Sequence, residues 1–175
     1  MSDLRELYQT TILDHGKSPR NFGPLEGANR TAAGHNPLCG DKLTLYLEVE
    51  DDRVKAATFE GSGCAISTAS ASMLTQTVEG RPVDEALALF REFHEWVTGN
   101  GDADLSSDQA DRLGKLAVFG GVREFPMRVK CATLAWHAMS SALAGDGETA
   151  SGGRAMAVPS MRATTLNQRA VRECP

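Results

Sequence analysis

Residues 43–79 read LTLYLEVEDDRVKAATFEGSGCAISTASASMLTQTVE, and a change of rhythm inside that stretch decides the fold class. Leu43, Leu45, Leu47 and Val49 alternate with Thr44, Tyr46 and Glu48, the period of a strand with one buried face. Glu50-Asp51-Asp52 makes a polar turn, and Arg53 to Phe59 forms the next strand. Gly61-Ser62-Gly63 breaks it. From Cys64 the period becomes helical: Ile66, Ala69, Met73 and Thr77 mark one face up to Glu79, and the many Ala and Ser residues permit close packing.

Outward from this stretch, residues 28–38 look extended and end in the turn Pro37-Leu38-Cys39-Gly40-Asp41. Further upstream, Leu4, Tyr8 and Ile12 recur at helical spacing, with Asp3 as cap and Glu6 three residues on; His15-Gly16 stops that helix. Downstream, Pro82 opens a helix whose inner face carries Val83, Ala86, Leu87, Phe90 and Phe93. A weaker helix is predicted from Leu105 to about Val118, and Pro126 opens a last long helix to about Ala144. The order helix, strands, helices argues α+β rather than a doubly wound sheet. Residues 1–145 are expected to form one domain and 146–175 a flexible C-terminal tail, because large apolar residues become scarce there.

With 175 residues and 41% hydrophobic content the chain can build an adequate core. Lys plus Arg is 18 against 23 for Asp plus Glu, and no basic patch interleaves with aromatics, so nucleic acid is not an expected partner. No window approaches the roughly 18 uninterrupted apolar residues of a membrane helix, and no N-terminal stretch has the order of a signal peptide. A cytoplasmic protein without a membrane partner is expected. Four cysteines, Cys39, Cys64, Cys131 and Cys174, are too few for a disulfide scaffold of this length. In a reducing compartment they read as metal ligands, reactive thiols or buried filler.

Three of them occupy special places. Cys39 lies in the Gly-containing turn, with Asp41 two residues on and able to point to the same side. Cys64 falls at a strand-to-helix junction, where free N–H groups and the helix dipole favour a thiolate. Cys131 lies early in the last helix, after Arg128 and Lys130. Three thiolates and one carboxylate would satisfy tetrahedral zinc, and a nearby cation would offset the excess negative charge. Without a Cys-x-x-Cys pair, each cysteine reads equally as a small buried hydrophobe.

Asn36-Pro37-Leu38-Cys39-Gly40-Asp41, Gly61-Ser62-Gly63-Cys64-Ala65-Ile66-Ser67 and Arg128-Val129-Lys130-Cys131-Ala132-Thr133-Leu134-Ala135-Trp136 resemble the three cysteine motifs of the IscU/NifU N-terminal family. Leu7-Tyr8, Asp14-His15 and Lys17-Ser18-Pro19-Arg20-Asn21 are similar to that family's opening. The resemblance runs over residues 4–144. Lys130 stands where IscU-type scaffolds carry a histidine, and the segment from Thr98 to Phe119, continuing to Pro126, resembles the SufU branch.

The resemblance implies a three-stranded antiparallel sheet packed by about five helices. It implies one Zn2+ held at an exposed end by Cys39, Asp41, Cys64 and Cys131. The implied activity is that of a zinc-dependent sulfurtransferase in the SUF pathway of iron–sulfur cluster biogenesis. Persulfide sulfur would come from a pyridoxal-phosphate (PLP)-dependent cysteine desulfurase of the SufS type and pass to downstream SUF assembly proteins. A desulfurase histidine would replace one cysteine on zinc, and the freed thiolate would attack the persulfide. Cys39, on the turn most able to swing, is the expected acceptor, and Arg128, one helical turn before Cys131, is placed at the site as a catalytic aid. Two rivals stand: a scaffold for a [2Fe–2S] cluster, which Lys130 disfavours, and a purely structural zinc module.

The remaining candidates read more plainly. His15 is expected to serve the helix carbonyls or the surface, His35 to stand exposed or just outside the ligands, and His94 to be solvated. His137 lies six residues after Cys131, about 240° around a helix, so the two cannot easily face one metal. Trp136 and Phe125 read as core, Glu92 and Glu95 as a charged helix face, and Cys174 as an incidental tail thiol.

Overall fold

The computed structural model describes residues 2–99, 104–144 and 148–150. The chain runs α1 (Ser2–Lys17), β1 (Arg30–Asn36), β2 (Asp41–Glu50), β3 (Arg53–Ser62), α2 (Ala65–Val78), α3 (Val83–Thr98) and α4 (Ser107–Leu113). A 3-10 segment (Gly114–Val122), α5 (Pro126–Ala144) and a short β4 (Glu148–Ala150) follow. Five helices and three antiparallel strands are thus present, as the α+β reading requires.

The strands form by the local rules read above. Asp51 and Asp52 both take positive φ, 53° and 59°, the signature of a tight two-residue hairpin turn matched to strand twist. That turn, with a bulge between Glu48 and Val49, sets the register that places Leu45 opposite Phe59 and Leu47 opposite Ala57. β1 pairs antiparallel to β2, so Ala32 faces Leu45 and Asn36 faces Asp41. One sheet face, carrying Ala32, Leu43, Leu45, Leu47, Ala57 and Phe59, is buried in the main core with residues of α2 and α5.

α2 is buried on nearly all sides, from Ser67 through Thr75, a wider apolar surround than the single face its sequence suggests. Its small side chains explain why. Ser70 Oγ donates to the Ala132 carbonyl at 2.5 Å and accepts from Trp136 Nε1 at 3.0 Å, so α5 closes tightly on it with no orphaned polar group.

The fold departs from sequence expectation in four places. β4 adds to the sheet parallel to β1, with Ala33 opposite Glu148 and His35 opposite Ala150, inside the segment expected as tail. The helix expected over 105–118 is two elements. Ser106 and Gln109 form a reciprocal cap that starts α4, and Gly114 at φ +51° ends it and begins the 3-10 run. On α3 Leu87 is only half-buried, and Leu89 takes the core position instead. The first helix begins at Ser2 and runs to Lys17, so Asp3 lies within its first turn rather than ahead of it. Residues 151–175, with Cys174, lie outside the described residues. Among those described, no helix is long and apolar enough to cross a membrane.

Candidate metal centre

One end of the sheet collects the β1–β2 turn, the last residue of β3, the start of α2 and the second turn of α5. Lys42 pairs with Ser62 there, which brings Cys64 alongside Asp41. The ligand-capable atoms of Cys39, Asp41 and Cys131 all lie within 4.8 Å of one another. Cys64 joins the group through Asp41 and Cys131: its Sγ lies 3.7 Å from Asp41 Oδ2, and it shares a side-chain hydrogen bond with Cys131. The structure therefore brings together the four residues named from the sequence, three close-set and Cys64 against two of them.

Each is placed by a different local device. Asn36, fully buried, accepts the Leu38 N–H on Oδ1 at 3.2 Å, and its main-chain carbonyl accepts from Gly40 N–H at 2.8 Å. That Asx-type turn needs Gly40 at φ +72°, a conformation costly for other residues. It leaves Cys39 exposed at the tip. Asn36 Nδ2 also points to Cys131 Sγ at 3.7 Å, so one buried amide ties the turn to α5.

Asp41 opens β2 with no exposed surface. Its Oδ1 accepts the Cys64 N–H at 2.8 Å, while Oδ2 faces the Cys64 sulfur. A β-carbon on Gly63 would stand 2.8 Å from Oδ1, so the carboxylate occupies space that only glycine leaves open.

Cys64 is the N-cap of α2 and accepts the Ser67 N–H at 3.4 Å. The hydrogen bond from Cys131 holds the Cys64 thiol down to about 7, and Ser67 adds to that effect. The same bond pushes the Cys131 thiol up, as does its burial. Cys131 Sγ also lies 3.2 Å from Cys39 Sγ. The arrangement is two exposed cysteines, Cys39 and the readily ionised Cys64, and a buried, proton-retaining Cys131 around a buried carboxylate.

Arg128 sits on the rim, exposed, its guanidinium 4.4 Å above the Phe125 ring. Burial raises the Tyr8 hydroxyl; Arg128 opposes that shift and Cys64 adds to it, so Tyr8 feels both fields. Phe125 is 43% exposed rather than core, and it supports Arg128 from the surface. Trp136 is fully buried, as expected.

The histidines lie elsewhere. His15 is buried and its Nδ1 bonds Ser72 Oγ at 2.8 Å, not a surface group. His94 is half-buried against Phe90 and His137, not solvated. His137 packs edge-on to Phe90, away from the thiols. His35 is half-buried next to Asn36 but on the opposite sheet face. Glu92 pairs with Arg112.

Sequence reasoning gave Asn36, Gly63 and Tyr8 no role at the site. The available signal was an Asn directly before a Pro turn and a Gly directly before a cysteine.

Three antiparallel strands, extended by the short parallel β4, with helices on one face and a Cys–Asp–Cys cluster at one end, define a small α+β protein built to present thiols. The family described as the NifU-like N-terminal domain matches residues 7–132, and the chain belongs to it. It is 39% identical over 143 residues to the iron–sulfur cluster assembly scaffold protein IscU of Streptococcus pyogenes serotype M1, covering 82% of this chain and 86% of that one. It is equally 39% identical over 143 residues to the zinc-dependent sulfurtransferase SufU of Bacillus subtilis strain 168, covering 82% and 93%. A crystal structure from Fervidobacterium islandicum AW-1, described as an iron–sulfur cluster assembly scaffold protein for the SUF system, superposes with a TM-score of 0.71. It is 33% identical and covers 79% of this chain and 97% of that one.

Proposed function

We propose that this protein is a zinc-dependent sulfur acceptor that takes persulfide sulfur from a cysteine desulfurase in the cytoplasm. The observation that carries the reading is an exposed thiol, Cys39, set 3.2 Å from buried Cys131 and within reach of buried Asp41. An acceptor needs one sulfur open to a large partner and a fixed polar cradle beneath it, and this end of the sheet supplies both.

The donor set fits zinc: three sulfurs and one carboxylate oxygen, with Gly63 leaving room for that carboxylate. Cys39, Asp41, Cys64 and Cys131 would hold the ion, which when bound would keep the sulfurs as thiolates at neutral pH.

The transfer itself belongs to Cys39. Its thiolate attacks the outer sulfur of the partner's cysteine persulfide. A new S–S bond forms on Cys39, the partner's S–S bond breaks, and the electron pair leaves on the partner's cysteine as thiolate. Asn36 holds the turn that presents the nucleophile. Arg128, exposed beside the site, would attract the anionic persulfide. A partner of the pyridoxal-phosphate-dependent SufS type and downstream SUF assembly proteins complete the route.

A second reading, a scaffold for a [2Fe–2S] cluster, is favoured by the equal identity to the S. pyogenes scaffold and by the same thiols. Anaerobic reconstitution with iron and sulfide separates the two. The acceptor reading predicts that zinc is retained and desulfurase turnover rises with zinc-loaded protein only. A stable coloured cluster that displaces zinc, without stimulation, would overturn it.

A further inference from the structure

Cys131 has a reactivity that metal binding and sulfur acceptance leave unused. Its Sγ lies 3.2 Å from Cys39 Sγ, within the roughly 3–3.5 Å at which a nucleophile is already poised against its target. One buried amide fixes both ends of this contact. Asn36 Oδ1 holds the Cys39 turn through the Leu38 N–H at 3.2 Å, and Nδ2 points to Cys131 Sγ at 3.7 Å. Cys131 is buried on α5 and Cys39 is exposed on its turn, so Cys39 is the partner that moves when the two close on each other. Cys64 is committed elsewhere: it caps α2 through the Ser67 N–H and turns its sulfur toward Asp41 at 3.7 Å.

A persulfide on Cys39 carries its outer sulfur beyond Sγ. The atom that faces Cys131 is therefore the inner sulfur, which is Cys39 Sγ itself. Attack there has a defined outcome. A bond forms between Cys131 Sγ and Cys39 Sγ, the persulfide S–S bond breaks, and its electron pair leaves on the outer sulfur. The Cys131 thiol hydrogen ends on that sulfur, so the products are one disulfide and one hydrogen sulfide. The two cysteines give up two electrons and the departing sulfur takes them, so no outside reductant enters.

We propose that Cys131 is a resolving thiol for Cys39: when not engaged on a metal ion, it displaces persulfide sulfur from Cys39 as sulfide and leaves a Cys39–Cys131 disulfide. Zinc then has a second duty besides organising the site. With Cys131 held as a ligand, the sulfur stays on Cys39 until a downstream protein collects it. Loss of the ion turns a sulfur carrier into a source of free sulfide. The sulfide product rests on the sulfur-acceptor reading; displacement at Cys39 by Cys131 does not, because any good leaving group on Cys39 reveals it.

The first test uses the full chain with Cys64→Ser and Cys174→Ala, so that only Cys39 and Cys131 remain; serine is itself a good helix cap at 64. Zinc is stripped with a chelator, and limiting 5,5′-dithiobis(2-nitrobenzoate) places thionitrobenzoate on exposed Cys39. Attack by Cys131 then releases a second thionitrobenzoate, read by absorbance, and peptide mass spectrometry maps the disulfide within one chain. The second release should be at least about tenfold faster in buffer than in urea, where sulfurs 92 residues apart must first meet. It should vanish when Cys131→Ser is added. A second release no faster in buffer than in urea, or one that survives Cys131→Ser, would overturn the assignment.

In the second test the zinc-loaded Cys174→Ala chain is persulfidated by desulfurase and cysteine, separated from both, and divided. The chelated half should yield one sulfide for each persulfide lost, together with a Cys39–Cys131 disulfide, while the zinc-loaded half keeps its persulfide. Persulfide that remains on Cys39 after chelation, or moves to Cys131 without sulfide, would also overturn the assignment. Absence of any persulfide at the start would count against the sulfur-acceptor reading alone, and the first test, which contains no desulfurase, would still decide the role of Cys131.

Discussion

Substituting Gly63→Ala adds one methyl group at the tightest place in the candidate site. Gly63 does not lie in the left-handed region, so the backbone tolerates alanine and the effect is one of space. The new β-carbon would lie 2.8 Å from Asp41 Oδ1, 3.2 Å from Cγ and 3.3 Å from Cβ. All three are inside van der Waals contact, so the carboxylate must retreat by about half an ångström or more. It cannot do so and keep the 2.8 Å bond from Cys64 N–H. That bond is charge-assisted, worth roughly 1.5–3 kcal/mol. Losing such a partner of a metal-ligating carboxylate costs about 10–100-fold in affinity, which matches that energy at about 1.4 kcal/mol per decade. Zinc affinity measured by competition with a chromophoric chelator should weaken by this factor, with far-UV circular dichroism unchanged. Gly80→Ala is the control. At φ +82° with nothing within 4 Å, it should cost about 1–2 kcal/mol of stability and leave zinc binding alone. A Gly63→Ala affinity within about twofold of wild type would refute the claim that Asp41, so held, is a ligand.

His137 supplies a pH prediction. Burial, with His94 beside it, holds its imidazole down to about 4, against about 6.5 unfolded. Because the folded value is depressed, the unfolded chain binds the extra proton: His137 costs nothing above pH 6.5, and stability is lost as pH falls toward 4. The full loss is about 3 kcal/mol. Urea melts at pH 7 and 4.5 should show His137→Phe losing about 2.5 kcal/mol less than wild type across that interval; parallel losses would contradict the assignment. Arg128→Ala should leave zinc affinity within about twofold but raise the apparent KM for the desulfurase, more at low salt than at high, as a rim charge does. Unchanged KM in steady-state assays at low salt would remove Arg128 from the docking step.

The strands and most helices were legible because local rules agreed with tertiary needs. Alternation over 43–49, two aspartates in a tight turn and Pro82 and Pro126 at helix starts each had one reading. The 105–118 region failed because a single residue, Gly114 at φ +51°, redirected a chain whose apolar spacing still looked helical. β4 has no sequence signal of its own: its backbone pairs with β1, a long-range choice outside any local window. At the site, the four candidate residues were named but their roles in the lattice of bonds were not. Cys39 is presented because Asn36, 95 residues from Cys131, bonds both the turn and that thiol. The histidine placements went wrong for a similar reason. His15 and His94 look solvent-bound by helix position, and only packing against Ser72 and Phe90 shows otherwise.

The central claim is that Cys39 receives the sulfur, and locating the persulfide tests it most directly. Zinc-loaded wild type and Cys39→Ala are each incubated with desulfurase and cysteine, and trapped persulfides are mapped by peptide mass spectrometry alongside turnover. Cys39 is exposed, so the substitution should keep the fold. The account predicts a persulfide on Cys39 and strong stimulation by wild type, with neither persulfide transfer nor stimulation by Cys39→Ala. Full stimulation by Cys39→Ala, or persulfide found on Cys64 or Cys131 alone, would contradict it.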